Sequence, residues 1–97
     1  MLNQIVLVGR IKEIEDTYMI VAISRAYKNA NGEYDVDLVK INMSDNIAKN
    51  VKDYCEKGNL VGIKGKVETN DEGNIIIIAE KISFLSSSKQ NTEQEDN

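Results

Sequence analysis

Tyrosines and cations gathered around one predicted β-hairpin are the residues of this chain best suited to recognition chemistry. The hairpin carries Tyr27 on one arm and Tyr34 on the other, so we expect the two rings to lie near each other across the strand ladder. Proteins that hold single-stranded nucleic acid combine cations that follow the phosphates with aromatic rings on which bases stack. The same tyrosine pair also fits a purely structural role in stabilising a protruding hairpin, and the pattern alone favours neither. The full candidate set is Arg10, Lys12, Arg25, Tyr27, Lys28, Tyr34 and Lys40.

Catalytic chemistry is not expected from this composition. The chain has no histidine to act as a general base near neutral pH. Its single cysteine, Cys55, has no Cys or His partner at the spacing of a zinc site, and we interpret it as a small buried apolar residue. Gly62 and Gly65 lie within a predicted strand, where they fit the curvature of a barrel better than a phosphate-binding loop. We therefore expect no enzyme activity, no metal and no cofactor.

Alternating apolar and polar residues predict five strands, which must position the candidate residues. In the first strand Ile5, Leu7 and Ile11 share one face, and Val6 and Val8 share the other. Two short segments, 29–32 and 70–73, contain the Asn and Gly residues that are typical of tight turns between strands. The predicted strands cover residues 2–14, 18–28, 33–43, 59–68 and 74–85.

One short amphipathic helix is predicted between the third and fourth strands. Ser44 or Asp45 caps its start, and Gly58 is expected to end it in a left-handed conformation. Its apolar positions form a single stripe at the helical period: Ile47, Ala48, Val51, Tyr54 and Cys55. We expect Tyr54 and Phe84 to belong to the core. The element order β-β-β-α-β-β predicts an all-β protein with one helix, an OB-fold five-stranded Greek-key barrel, which is a fold that binds oligonucleotides or oligosaccharides.

Length and charge limit the remaining possibilities. The 97 residues correspond to one domain. We divide them into an OB-fold domain over 1–85 and a disordered acidic tail over 86–97, because the tail contains no apolar residue. The formal net charge of −4 is unlike that of a strongly basic nucleic-acid binder. A lone cysteine fits a reducing cytoplasm, and no segment has the pattern of a secretory signal or a membrane span.

Several segments resemble a known family when they are taken together. Residues 1–10 (MLNQIVLVGR) are similar to the opening of bacterial single-stranded-DNA-binding proteins. Residues 22–33, 50–62 and 82–85 resemble, in the same order, the second strand and its turn, the helix with the fourth strand, and the closing strand of that family. The resemblance covers nearly all of residues 1–85. It implies an OB fold and sequence-tolerant binding of single strands, with roles in DNA replication, recombination or repair.

The chain also departs from the family pattern in its aromatic residues. The resemblance implies that Tyr27 corresponds to a stacking aromatic of the family, whereas Leu38 and Ser44 fall where the family has two further aromatics. The family's long basic hairpin between strands four and five is reduced here to residues 70–73. Each lost stack forfeits about 1–3 kcal/mol of binding, so we expect weak to moderate affinity. Leu38 joins the candidate nucleic-acid-binding residues on this basis.

The resemblance also implies partners. They are single-stranded DNA, with RNA as a further possibility, and a second copy of the chain in a homodimer or homotetramer. Val6 and Val8 are the residues that we expect at a contact between copies. The acidic end lacks the apolar anchor through which the family docks partner enzymes, so docking by that route is not expected. The alternative hypothesis is an OB-fold protein-interaction module, like the primosomal accessory proteins, with little nucleic-acid binding.

Overall fold

The computed structural model describes residues 2–86. Five strands and one helix follow one another in the predicted order, and their bounds lie within a few residues of those expected. The elements are β1 (Ile5–Ile14), β2 (Tyr18–Lys28), β3 (Tyr34–Asn42), α1 (Asp45–Tyr54), β4 (Leu60–Thr69) and β5 (Ile75–Phe84).

The strands form one closed barrel in the order β1-β2-β3-β5-β4. Neighbouring strands are antiparallel except for β3 and β5, which run parallel and pair only at Ile41 with Ile77 and at Asn42 with Ile78. The two halves of β1 pair with different strands. Ile5–Arg10 pair with β4, and the pairing with β2 begins at Arg10. With the helix between β3 and β4, this architecture confirms the predicted OB fold.

The barrel interior is filled by the strand faces that alternation predicts to be apolar. Seven side chains on four strands and the helix are less than 2% exposed: Ile11, Met19, Val21, Ile41, Val51, Val61 and Ile63. Two glycines allow strands to approach closely here. A Cβ atom on Gly9 would lie 2.4 Å from the carbonyl oxygen of Ala22, and one on Gly65 would lie 2.2 Å from that of Ile78. A Cβ atom on Gly62 would make only ordinary contacts. Close packing therefore requires a glycine at position 65 but not at position 62.

The helix closes one side of the barrel and ends earlier than predicted. Ser44 is its N-cap, with the hydroxyl oxygen accepting a hydrogen bond from the Ile47 amide at 3.4 Å. The chain leaves the helix at Cys55, whose backbone is extended, so Gly58 is not the helix cap. Gly58 instead takes its positive φ of 91° in the following turn. Tyr54 is not a core residue either, because 46% of its surface is exposed, although its ring packs against the partly buried Phe84.

The β2–β3 and β4–β5 turns are built alike. In each, an asparagine begins the turn and a glycine three residues later has a φ near +80°: Asn29 with Gly32, and Asn70 with Gly73. The asparagine side-chain oxygen accepts hydrogen bonds from two backbone amides, which for Asn29 are those of Asn31 and Glu33. Both hairpins therefore have firmly held turns.

The predicted tail begins at Ser86, which contacts the barrel. The Ser86 hydroxyl accepts a hydrogen bond from the Leu60 amide at 2.9 Å, and the Ser86 amide donates to the Leu60 carbonyl. Residues 87–97, where the rest of the acidic tail was predicted, lie outside the described residues. Within residues 2–86 there is no helix long and apolar enough to cross a membrane.

Candidate nucleic-acid interface

The outer face of β2 and β3 carries four of the eight predicted candidate residues. Directly opposite residues in an antiparallel ladder project to the same side, and the register places Leu38 opposite Ala22 and Tyr34 opposite Lys28. Leu38 is 64% exposed and Tyr34 55% exposed. Lys40 lies on the same side, because it alternates with the buried Ile41 and the partly buried Val39. The structure thus brings an aromatic ring, an apolar side chain and two lysines onto one surface. We call this surface the outer β2–β3 face.

Arg10 and Lys12 extend this surface onto β1. Arg10 pairs with Ala22, in the same row as Leu38, and its guanidinium donates a hydrogen bond to the Gly58 carbonyl at 3.0 Å. That bond holds the arginine against the chain that enters β4. Lys12 is exposed and lies in the bulge between Ile11 and Glu13, where the register of the β1–β2 ladder shifts.

Tyr27 does not stand beside Tyr34, so the expectation of a cross-strand tyrosine pair was wrong. The register of the hairpin shifts between Ser24 and Lys28, and this irregularity places Lys28 opposite Tyr34. Neighbouring residues of a strand project to opposite sides, so Tyr27 faces away from Tyr34, on the same side as Arg25. Tyr27 is nevertheless 65% exposed. Its ring remains accessible, but on the other face of the hairpin.

Arg25 is already neutralised by carboxylates of the neighbouring strand. Its guanidinium donates two hydrogen bonds of 3.0 Å to the two carboxylate oxygens of Asp37, and Asp35 lies 3.9 Å away. The hydrogen bonds hold the pKa of the Asp37 carboxyl below its ordinary value, and they raise the pKa of the Arg25 guanidinium. Arg25 therefore fastens the two arms of the hairpin together and is poorly placed to offer its charge to a phosphate.

The two lysines of the outer β2–β3 face and Lys12 on neighbouring β1 have no ion pair of this kind. Within residues 2–86, no carboxylate lies within 4.0 Å of the ammonium groups of Lys12, Lys28 or Lys40. The Lys28 ammonium lies 5.9 Å from the centre of the Tyr34 ring. A cation next to an exposed ring is the combination that single-strand binders use for a phosphate and its base.

Two further residues of this surface were missed by the sequence interpretation. Val36, opposite Ser24, is 52% exposed between Tyr34 and Leu38. Tyr18, opposite Asn42, lies at the other end of the same face, with the Lys40 ammonium 4.5 Å from its ring centre. The signal was present in the alternation, since Tyr18 precedes the inward-facing Met19 by one position. It was overlooked because a residue at a strand start was not assigned to either face.

Other parts of the described chain offer little for small-molecule or metal chemistry. A pocket of about 210 Å³ lies between α1 and β5, lined by Ile47, Asn50, Glu80, Lys81, Ile82 and Phe84. Its volume is below the usual range for ligand sites, and it contains none of the candidate residues. Residues 2–86 hold no cluster of His, Cys, Asp and Glu that could bind a metal ion.

Comparison with known sequences identifies the family. The model of the single-strand binding protein family matches residues 2–85. Single-stranded DNA-binding protein B of Bacillus subtilis is 33% identical over 97 aligned positions, which cover 86% of this chain and 86% of that protein. Single-stranded DNA-binding protein 3 of Listeria innocua is 37% identical, over 94% of this chain and 68% of that protein.

Solved structures agree with the fold at lower sequence identity. A Plasmodium falciparum single-stranded DNA-binding protein, solved in complex with single-stranded DNA, superposes with a TM-score of 0.65 at 23% identity, over 89% of this chain and 96% of that one. A small single-stranded DNA-binding protein from Streptomyces coelicolor superposes with a TM-score of 0.64 at 15% identity, over 87% and 95% of the two chains. The fold, the arrangement of the outer β2–β3 face and the match over residues 2–85 lead to one conclusion: the chain belongs to the single-strand binding protein family.

Proposed function

We propose that this protein binds single-stranded DNA with little sequence preference, along the outer β2–β3 face. The observation that carries the proposal is that lysines without a carboxylate partner lie beside exposed apolar or aromatic side chains on one face. Lys28 lies beside Tyr34, and Lys40 lies two residues from Leu38 on the same side of β3. The relatives in Bacillus subtilis and Listeria innocua are named as single-stranded DNA-binding proteins, which supports the same function here. Roles in DNA replication, recombination or repair follow from that function.

Different residues of this surface contact the phosphates and the bases of the bound strand. Lysines bind phosphates as flexible point charges, and such contacts position the strand without reading its sequence. Tyr34 offers a stacking surface, and Leu38 offers apolar contact without a ring. Tyr27 offers a second ring on the opposite face of the hairpin, which a strand reaches by passing around the hairpin end. Stacking tolerates every base because every base has a π-face, and this gives the expected lack of sequence preference.

The decisive experiment is an anisotropy titration of the full chain with fluorescently labelled oligo-dT at two salt concentrations, about 50 and 200 mM. We expect saturable binding that weakens with salt, and competition by unlabelled single-stranded DNA in preference to duplex. Unlabelled RNA of the same length measures the preference between the two kinds of strand. An absence of saturable binding at either salt concentration would contradict the proposal.

Matched lysine variants locate the binding surface. Lys28→Ala is expected to weaken binding of all sequences alike and to reduce the slope of log affinity against log salt by about one unit. Lys49, exposed on α1, is the matched control, because Lys49→Ala removes the same charge from a part of the surface outside the outer β2–β3 face. Tyr27→Ala is expected to cost about 1–3 kcal/mol of binding while the melting temperature is kept. Equal effects of Lys28→Ala and Lys49→Ala would place the strand elsewhere.

We further propose that β1 forms a contact between two copies of the chain. Among residues 2–86, Ile5–Val8 pair with β4 alone, so the other backbone edge of this segment is open to a second strand. Val6 and Val8 are 70% and 50% exposed on its outer side, and Leu85 lies close by over Gly62. An open edge beside apolar side chains favours pairing with another strand. A two-fold contact is the commonest way for identical chains to associate.

A further inference from the structure

Tyr18 lies at the far end of the outer β2–β3 face from Tyr34. It starts β2, pairs with Asn42, and is partly buried. In the part of the chain that the structure describes, its hydroxyl has no hydrogen-bond partner. No hydrogen bond to the described chain therefore fixes the position of this ring through its hydroxyl. Its described neighbour over the ring is the Lys40 ammonium, 4.5 Å from the ring centre.

Lys40 has no carboxylate partner within residues 2–86, and its ammonium lies over the Tyr18 ring. A cation–π contact near the protein surface is a weak interaction. A phosphate offers the same ammonium a charge-assisted hydrogen bond, which is the stronger interaction. A strand that supplies a phosphate can therefore draw Lys40 off the ring and leave the ring free.

Resting on the proposed function, we propose that Tyr18 and Lys40 form a nucleotide subsite for single-stranded DNA. A base stacks on the Tyr18 ring where the ammonium lies in the free protein, and the ammonium moves to the adjacent phosphate. Along β3, the row of Tyr18 and Asn42 lies eight residues from the row of Lys28 and Tyr34, which is about 26 Å of strand. The face is then long enough for several nucleotides, with a cation and a tyrosine at each end.

The test compares Tyr18→Leu with Tyr18→Phe in the full chain, using two labelled probes of equal length: oligo-dT, and the same sugar–phosphate strand without bases. Leucine keeps apolar bulk and removes the ring, whereas phenylalanine keeps the ring and removes only the unpaired hydroxyl. We expect Tyr18→Leu to weaken binding of oligo-dT by about 5- to 150-fold and Tyr18→Phe to stay within about twofold of the original chain. The base-free strand should bind the original chain and Tyr18→Leu equally well.

The outcomes separate this inference from the proposed function. If the original chain does not bind oligo-dT, the proposed function fails. If it binds, and folded Tyr18→Leu binds equally tightly, only the Tyr18 subsite is overturned. If Tyr18→Leu loses its folded circular-dichroism spectrum, photocrosslinking of the original chain to oligonucleotide carrying 5-iodouracil decides instead. A crosslink on the peptide that contains Tyr18 supports the subsite, and crosslinks confined to peptides containing Tyr27 or Tyr34 overturn it.

Discussion

The cations of this protein differ in what they can offer to a strand, and their neighbours decide the difference. Arg25 shares its charge with Asp37 through two hydrogen bonds, and Arg10 donates to a backbone carbonyl. Lys28 and Lys40 lie beside tyrosine rings and have no carboxylate within 4.0 Å among residues 2–86. A chain with a net charge of −4 can therefore still present a locally positive face. The affinity should depend on a few lysines rather than on the overall charge.

The ion pair between Arg25 and Asp37 predicts a pH-dependent contribution to stability. Hydrogen bonds from Arg25 lower the pKa of Asp37 from its ordinary 3.8 in the folded state. Stability from this pair is therefore fully present above pH 3.8, and it is lost as the pH falls through the lower folded-state pKa. Asp37→Asn should melt below the original chain at pH 7, and the two melting temperatures should converge as the pH falls below 3.8 and through the lowered pKa of the folded-state carboxyl.

Melting curves between pH 7 and 2.5, followed by circular dichroism, measure this convergence. Asp71→Asn is the control, because Asp71 lies in the β4–β5 turn and has no salt-bridge partner within residues 2–86. A difference between the original chain and Asp37→Asn that stays constant over the whole pH range would show that the ion pair does not stabilise the hairpin.

Among the elements, β4 offers a direct comparison of two glycines. Both Gly62 and Gly65 lie in the same strand, so replacing either by alanine changes the strand propensity equally. A Cβ on Gly65 would lie 2.2 Å from the Ile78 carbonyl oxygen, whereas one on Gly62 would lie 3.7 Å from the Leu85 side chain. Gly65→Ala should therefore lower the free energy of unfolding by about 1–3 kcal/mol or more, through forced displacement of β5.

Gly62→Ala should be neutral or stabilise the fold by up to about 1 kcal/mol, because alanine restricts the unfolded chain and fits the native space. Urea titration of both variants gives the two free energies. Equal losses in the two variants would mean that general strand propensity, rather than the contact with Ile78, sets the effect at Gly65.

Alternation in the sequence predicted the barrel and the residues on each face. The end of the helix and the placement of individual side chains near the β2–β3 turn were predicted less well. Strict period-two patterning correctly placed Leu38 and Lys40 outside and Ile41 inside. The same alternation separates Tyr27 from Tyr34, since Tyr27 shares its side of β2 with the buried Met19, whereas Tyr34 shares its side of β3 with Leu38; the expected tyrosine pair followed from their distance to the turn alone. The helix end is a second difference, because the pattern predicts a stop at Gly58, whereas the backbone is already extended at Cys55.

For the molecule as a whole, the proposed contact through β1 predicts a change of mass when that strand is altered. Val6→Lys puts a charge on the exposed face beside the open edge, which should disfavour association without disturbing the barrel core. Light scattering after size exclusion, at tens of micromolar protein, should show an oligomer for the original chain and a lower mass for Val6→Lys. Val36→Lys is the control, since Val36 is also largely exposed but belongs to the outer β2–β3 face. A monomer in the original chain would contradict the contact.

The short parallel pairing of β3 with β5 makes one side of the barrel a seam. Only two residue pairs close it, reinforced by the Asn42 side-chain amide, which donates to the Ile77 carbonyl at 3.2 Å. Every other neighbouring pair of strands shares a longer ladder. Regions with few hydrogen bonds open at lower free energy than the global unfolding of a protein. We therefore expect the barrel to open locally between β3 and β5, into a curved sheet, while its longer ladders stay paired. Asn42, which pairs with Tyr18, lies at the site of this opening.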